Sequence, residues 1–193
     1  MNTSQLLEME SPVGSQNAEE PWQILVVDDD RDIHALTSII LNDFQFQNRP
    51  LRIHYARTTT QAIDTLNEFA GIQLMLIDMV MEDKDSGIQI IDHLRATLEN
   101  NRMQVIVRTS VREMIPNPAF VKKYNILDCK IKSEMTAHVF RETIHESLEA
   151  YLAAGQKDGI DKDFLLLGLA RLKGTKLSDE QGSIVQDLLN YLN

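Results

Sequence analysis

Leu74-Met75-Leu76-Ile77-Asp78-Met79 organises the rest of the chain around it. An uninterrupted apolar run leads straight into one carboxylate. So short a run, bounded by turn signals, reads as a strand buried on both faces, the kind found in a parallel sheet. Open α/β sheets bind ligands beyond the carboxyl ends of their strands. Asp78 therefore stands where chemistry is expected, and its carboxylate reads as a nucleophile.

The flanking sequence repeats this unit. Ile24-Leu25-Val26-Val27 ends in Asp28-Asp29-Asp30. A helix follows, with Ile33, Leu36, Ile40, Leu41 and Phe44 on one face and Asp30 as its cap. Leu51, Ile53 and Tyr55 alternate with polar residues and predict a strand with one wetter face. Thr58, Thr59 and Thr60 open a helix carrying Ala62, Ile63, Leu66 and Phe69 inward, closed by Gly71. After Asp78 comes an acidic loop. Gly87 then begins a helix with Ile88, Ile91 and either Leu94 or Leu98 inward. Val105-Ile106-Val107 is a strand ending near Thr109. Pro116 and Pro118 delay a short helix that reaches about Tyr124. Asp128 to Ile131 is a short strand with Lys132 at its end. Thr136 to Ala153 is a long amphipathic helix. Strand and helix thus alternate five times between Trp22 and Ala153. The expected class is α/β, a doubly wound parallel sheet with helices on both faces and a helical extension at the carboxyl end.

A chain of 193 residues, 43% hydrophobic and 25% charged, can bury a core of its own. A net charge of -10 argues against nucleic acid as a partner, because that needs a basic face. Cys129 alone makes no internal disulfide and suits a reducing compartment. No signal peptide and no apolar run of transmembrane length is visible, so a cytoplasmic protein without a membrane partner is expected.

Residues 1–21 carry Glu8, Glu10, Glu19 and Glu20 and no basic residue, and read as a disordered acidic tail. Residues 22–154 form the α/β domain. Residues 155–193 read as an extension of two short helices. One bears Phe164, Leu165, Leu169 and Leu172; the other bears Ile184, Val185, Leu188, Leu189 and Leu192. Two short helices cannot bury such stripes alone. They are expected to cover the α/β domain, pair two protomers in a homodimer, or dock a partner protein. Residues 156–193 hold five basic and six acidic residues, which disfavours a DNA-reading output.

Four groups fall at strand ends on one edge of the expected sheet: Asp28 with Asp29, then Asp78, Thr109 and Lys132. Clustered carboxylates repel, and a hard divalent cation relieves that cost. Magnesium takes oxygen ligands and only one or two carboxylates. Asp29 and Asp78 supply such ligands, and Asp28 can hold a coordinated water. Neither the histidine spacing nor the cysteine pair of a zinc site is present. A cation, an ammonium and a hydroxyl around one carboxylate make a clamp for a transferring phosphoryl group. Taken singly, three aspartates in a row are most often a solvated cap, and a lone Thr or Lys in a loop means nothing. Their order and the apolar strand before each carry the argument.

Val26-Val27-Asp28-Asp29-Asp30, Leu76-Ile77-Asp78-Met79, Val107-Arg108-Thr109-Ser110 and Lys130-Ile131-Lys132 together resemble the signature of the receiver domain of two-component response regulators. The resemblance covers roughly Trp22 to Ala153. It implies a (βα)5 flavodoxin-like domain that accepts a phosphoryl group from a histidine kinase or phosphotransfer protein. It also implies that Asp78 is the phosphoacceptor. Asp28, Asp29, Asp78 and the backbone carbonyl of Val80 would hold Mg2+. Lys132 and the backbone amide of Met79 would meet the phosphoryl group. Thr109 would be the switch hydroxyl, with Ser110 at a position that wants a small residue.

The sequence departs from that pattern in places. Ser133 stands where a proline is usual, and Cys129 occupies the aromatic switch position. The loop between Asp78 and Gly87 is one residue longer than usual, and Asn125-Ile126 replaces the common Gly-Ala pair. The variant is similar to receivers preceding HD-type cyclic dinucleotide phosphodiesterases. The chain contains no His-Asp dipeptide, so no such output domain is expected within it.

The expected function is that of a phospho-switch, not an enzyme in its own right, signalling to an unidentified downstream protein. One alternative is a degenerate receiver that binds a partner without phosphate. Another is an aspartyl-nucleophile phosphatase, which usually needs a second aspartate where this chain has Val80. His138 and His145 read as surface residues of the last helix, and Cys129 as a small strand residue rather than a reactive thiol.

Overall fold

The computed structural model describes residues 20–157. The expected acidic tail, up to residue 19, and the two expected helices of the extension lie outside the described residues.

Six strands form one sheet: β1 (Trp22–Val27), β2 (Gln45–Phe46), β3 (Arg49–Ala56), β4 (Leu74–Asp78), β5 (Gln104–Thr109) and β6 (Asp128–Ile131). Their order across the sheet is β2-β3-β1-β4-β5-β6. Every pairing is parallel except β2 with β3. The five parallel strands are the expected ones. β2 is an addition that the apolar pattern does not announce. It pairs back onto β3 through Gln47 and Asn48, which have φ of 49° and 60°. Two left-handed residues are what a two-residue hairpin requires, and here they occur without the usual glycine.

The helices α1 (Arg31–Leu41), α2 (Thr59–Glu68), α3 (Ser86–Asp92), α4 (Pro118–Lys123) and α5 (Ala137–Lys157) fill the two faces. Asp30 caps α1, its carboxylate accepting from the Asp32 amide at 2.8 Å. Asn117 caps α4 by accepting from the Phe120 amide at 2.9 Å. Alternation along each strand splits the core into two layers. Leu25, Val27, Met75, Ile77, Val105 and Val107 pack against α2, α3 and α4. Ile24, Val26, Leu74, Leu76 and Ile106 pack against α1 and α5, meeting Leu41, Phe140, Ile144 and Leu148. All five residues of β4 are buried, as expected of a central parallel strand.

Three details correct or sharpen the sequence reading. Leu36 is 50% exposed. Thr37, Leu41 and, beyond the helix end, Phe44 are buried while Ile33 and Ile40 are half-buried, so of the expected stripe Leu36 alone faces outward. Of Leu94 and Leu98, the inward one is Leu94. The last helix continues through Gly155 to Lys157. A side chain at 155 would collide with the guanidinium of Arg102, which lies over the Tyr151 ring at 4.1 Å, so glycine admits that packing.

Two half-buried polar side chains tie down the outer parts of the sheet. After α3 the chain makes a π-helical turn (His93–Thr97) that carries Arg95. Its guanidinium donates to the backbone carbonyls of Tyr124 at 2.8 Å, Met103 at 3.0 Å, Asn125 at 3.1 Å and to that of Asn100. No carboxylate is among these partners, and burial lowers the Arg95 pKa to about 10. At the opposite edge His54 bonds Gln23 Oε1 at 2.7 Å and stacks on Phe69.

Burial, with help from Arg52, lowers the His54 pKa from the ordinary 6.5. The unfolded chain then binds the proton more readily than the native one. Stability conferred by neutral His54 is complete above 6.5 and is lost as pH falls toward the lowered native value. Urea melts between pH 7.5 and 5 should therefore fall less steeply for His54→Gln than for the parent protein.

Candidate functional site

β1 and β4 are neighbours whose chain connections leave in opposite directions, so the crevice beyond their carboxyl ends is the topological switch point of the sheet. Asp28 follows β1 directly and Asp78 is the last residue of β4. Both are buried, while Asp29 is exposed. Each of the three offers a carboxylate oxygen, and these oxygens lie within 4.8 Å of one another.

Lys132, immediately after β6, reaches into this cluster. Its Nζ is 2.5 Å from Asp78 Oδ2 and 2.8 Å from Asp28 Oδ2. Burial opposes the charged ammonium, but the hydrogen bonds to Asp28 and Asp78 outweigh it and raise the Lys132 pKa. Burial pushes the Asp28 carboxyl up, and the bond to Lys132 only partly reverses this. The remaining carboxylate oxygens are held by the chain itself. The Val80 amide donates to Asp78 Oδ1 at 3.1 Å, and the Asp30 amide to Asp28 Oδ1 at 3.2 Å. The cluster is therefore rigidly placed yet carries more negative charge than one ammonium cancels. All its donors are hard oxygens, which fits a Mg2+ ion and not a soft metal.

The remaining expected residues are placed less uniformly. Thr109 ends β5 and is buried, but its hydroxyl engages the Val111 backbone, accepting from the amide and facing the carbonyl at 3.2 Å. Ser110 is exposed and Met79 is buried. Cys129 lies half-buried in β6, where burial and then Asp128 push its thiol pKa up. His138 and His145 are exposed and face Glu142 and Glu149 one turn along α5.

Other residues that shape the cluster carry no motif signal. A Cβ added at Gly87 would lie 2.7 Å from Met79 Cα and 2.8 Å from Asp78 O. The first turn of α3 is thus pressed onto the backbone that positions Asp78. Gly87→Ala should cost roughly 1–3 kcal/mol through overpacking. Chemical denaturation would show it, together with shifted amide resonances at Met79 and Val80. Glu82, in the loop after β4, accepts from the Thr59 amide at 2.6 Å and so ties that loop to the start of α2. Arg108 pairs in register with Asp78 across β4 and β5 and is 6% exposed.

The family model described as response regulator receiver domain matches residues 24–142. The chain belongs to this family. The receiver extends over β1 to the first turns of α5. Among curated proteins, the 3'3'-cGAMP-specific phosphodiesterase 2 of Vibrio cholerae is 31% identical over 180 residues. That match covers 91% of this chain but 34% of the relative, so the chain spans about a third of the length of the relative it matches. Among solved structures, the receiver domain of an HD domain-containing protein from Pseudomonas fluorescens Pf-5 aligns with TM-score 0.57 at 17% identity. It covers 69% of this chain and 99% of that one. A response regulator receiver domain from Clostridium thermocellum aligns with TM-score 0.54 at 22% identity, covering 66% and 94%. These structural likenesses establish the receiver fold, with its expected flavodoxin-like sheet. Among the described residues no helix is long and apolar enough to cross a membrane.

Proposed function

We propose that this receiver is a phospho-switch in which Asp78 accepts a phosphoryl group from a histidine kinase or phosphotransfer protein. The observation that carries the reading is the Lys132 ammonium bonded at once to Asp78 and Asp28. It places a cation against the carboxylate that would react and against its neighbour.

An Asp78 oxygen would form the new bond to phosphorus as the bond to the donor breaks. The donor's leaving group, an imidazole nitrogen or an acetate oxygen, keeps the electron pair. Asp28, Asp29, Asp78 and the Val80 carbonyl would hold Mg2+, which supplies charge neutralisation for the incoming phosphoryl oxygens. Lys132 supports those oxygens from the other side, and the Met79 amide donates to them. Thr109 turns from the Val111 backbone toward the phosphoryl group, and Ser110 leaves room for it. Cys129 offers no aromatic ring to follow that movement, so the signal leaves by another route than the usual aromatic switch.

Residues 22–154 form the receiver in this reading, and the signal passes on through a protein partner or a homodimer. The protein works in the cytoplasm, without nucleic acid. Its own chemistry is limited to gaining and losing its phosphoryl group.

The test is intact-mass analysis after incubation with Mg2+ and acetyl phosphate. The expected result is a labile gain of one phosphoryl group that is absent in Asp78→Asn and without Mg2+. No gain with any donor supports the degenerate module instead, and steady turnover of phosphoesters supports a phosphatase.

A further inference from the structure

Arg108 is a buried arginine with no hydrogen-bonded anion among the described residues. Its Nε and Nη1 are buried and without a hydrogen-bond partner among the described residues. The guanidinium stands 5.0 Å from the Phe140 ring centroid, on the α1 and α5 side of the sheet. By strand alternation Asp28 and Asp78 face the same side, continuing the rows Ile24-Val26 and Leu74-Leu76. Burial lowers the Arg108 pKa, and Asp28 and Asp78 act against that through space. His34 lies beside Asp28, and burial lowers its pKa from the ordinary value while Asp28 acts the other way. Unmatched buried N–H groups cost free energy, and a buried charge costs more. The Phe140 ring and the field of the carboxylate cluster are the compensation seen among the described residues.

We propose that Arg108 is a fixed counter-cation of the Asp28–Asp78 cluster that weakens the loading of a divalent ion there. It acts as a positioning residue, through charge rather than contact. Lys132 meets the carboxylates at their open edge and can move with a phosphoryl group. Arg108 is buried between the sheet and Phe140 of α5, away from the place a phosphoryl group would take. Its charge therefore opposes a cation in every state of the switch, and keeps the metal exchangeable. This inference rests on the reading of the cluster as a Mg2+ site.

Calorimetric Mg2+ titration of the metal-stripped full chain tests both readings separately. Arg108→Met should bind Mg2+ about tenfold more tightly than the parent. That is the scale of one unit charge removed from near a divalent ion at a partly solvated site. Arg108→Lys, which keeps the charge, should stay within about twofold of the parent on the same argument. A parent that binds Mg2+ with Arg108→Met unchanged or weaker overturns the counter-cation alone. A parent that does not bind Mg2+ overturns the metal site and this inference with it. Should Arg108→Met fail to fold, nitrogen NMR of the parent decides. The Arg108 Nε resonance should move on Mg2+ saturation while that of Arg95 stays still; an unmoved Arg108 signal contradicts the inference.

Discussion

Lys132→Met is expected to slow phosphorylation of Asp78 by acetyl phosphate at least about 100-fold at saturating Mg2+, the scale of losing one preorganised charge from a transition state. Intact-mass time courses read this directly. The same substitution should lower stability in metal-free buffer at pH 7. Lys132 is the cation that bonds Asp28 and Asp78 at 2.8 and 2.5 Å, and both carboxylates are buried. Without it they face each other unpaired, at a cost of roughly 2–4 kcal/mol after relaxation. Mg2+ should restore more stability to the variant than to the parent, because it binds the native cluster and not the unfolded chain. The variant would thus be metal-stabilised but slow. A loss of stability without a loss of rate would make Lys132 a structural ion-pair partner only.

Arg95→Met is the second large effect, and it lies far from the chemistry. One guanidinium holds four backbone carbonyls, from the segment before β5 and from the turn between α4 and β6. Methionine replaces its stem but none of its donors. Carbonyls that are covered by packing then lose their partners, at about 2–4 kcal/mol in total. For a domain of this size that is on the order of 10 °C in melting temperature. Amide exchange should accelerate first around Tyr124 and Asn125, where the lost bonds end. Arg95→Lys should recover little, since one ammonium cannot span the four acceptors.

The contrast between these two residues shows what the chain discloses before it folds. Lys132 was legible because it follows a short strand and stands in the same relation to it as Asp28 and Asp78 do to theirs. Strand ends of one polarity meet at one edge, so a linear pattern becomes a site. Arg95 and Arg108 have no such pattern. Arg95 looks like a solvent-facing residue of an amphipathic helix, and only the π-helical turn carries it inward. Arg108 stands between Val107 and Thr109 in a run whose other members signal a buried strand; that its charge is buried too is settled by Phe140 and α5, which lie far off in the chain. β2 was missed because its turn uses Gln47 and Asn48 without glycine. Leu36 was misplaced because Thr37, a polar residue, occupies the buried position of α1. The direction of the Thr109 hydroxyl depends on the local loop, and no sequence pattern encodes it.

In the proposed switch Asp78, and neither neighbouring aspartate, carries the phosphoryl group. An acyl phosphate is reduced by borohydride to the alcohol, which turns a phosphorylated aspartate into homoserine. Peptide mass mapping after Mg2+, acetyl phosphate and borohydride should find homoserine at position 78 and leave Asp28 and Asp29 unchanged. Homoserine at position 28 or 29, or at none of the three in a protein that has gained phosphate, would contradict it.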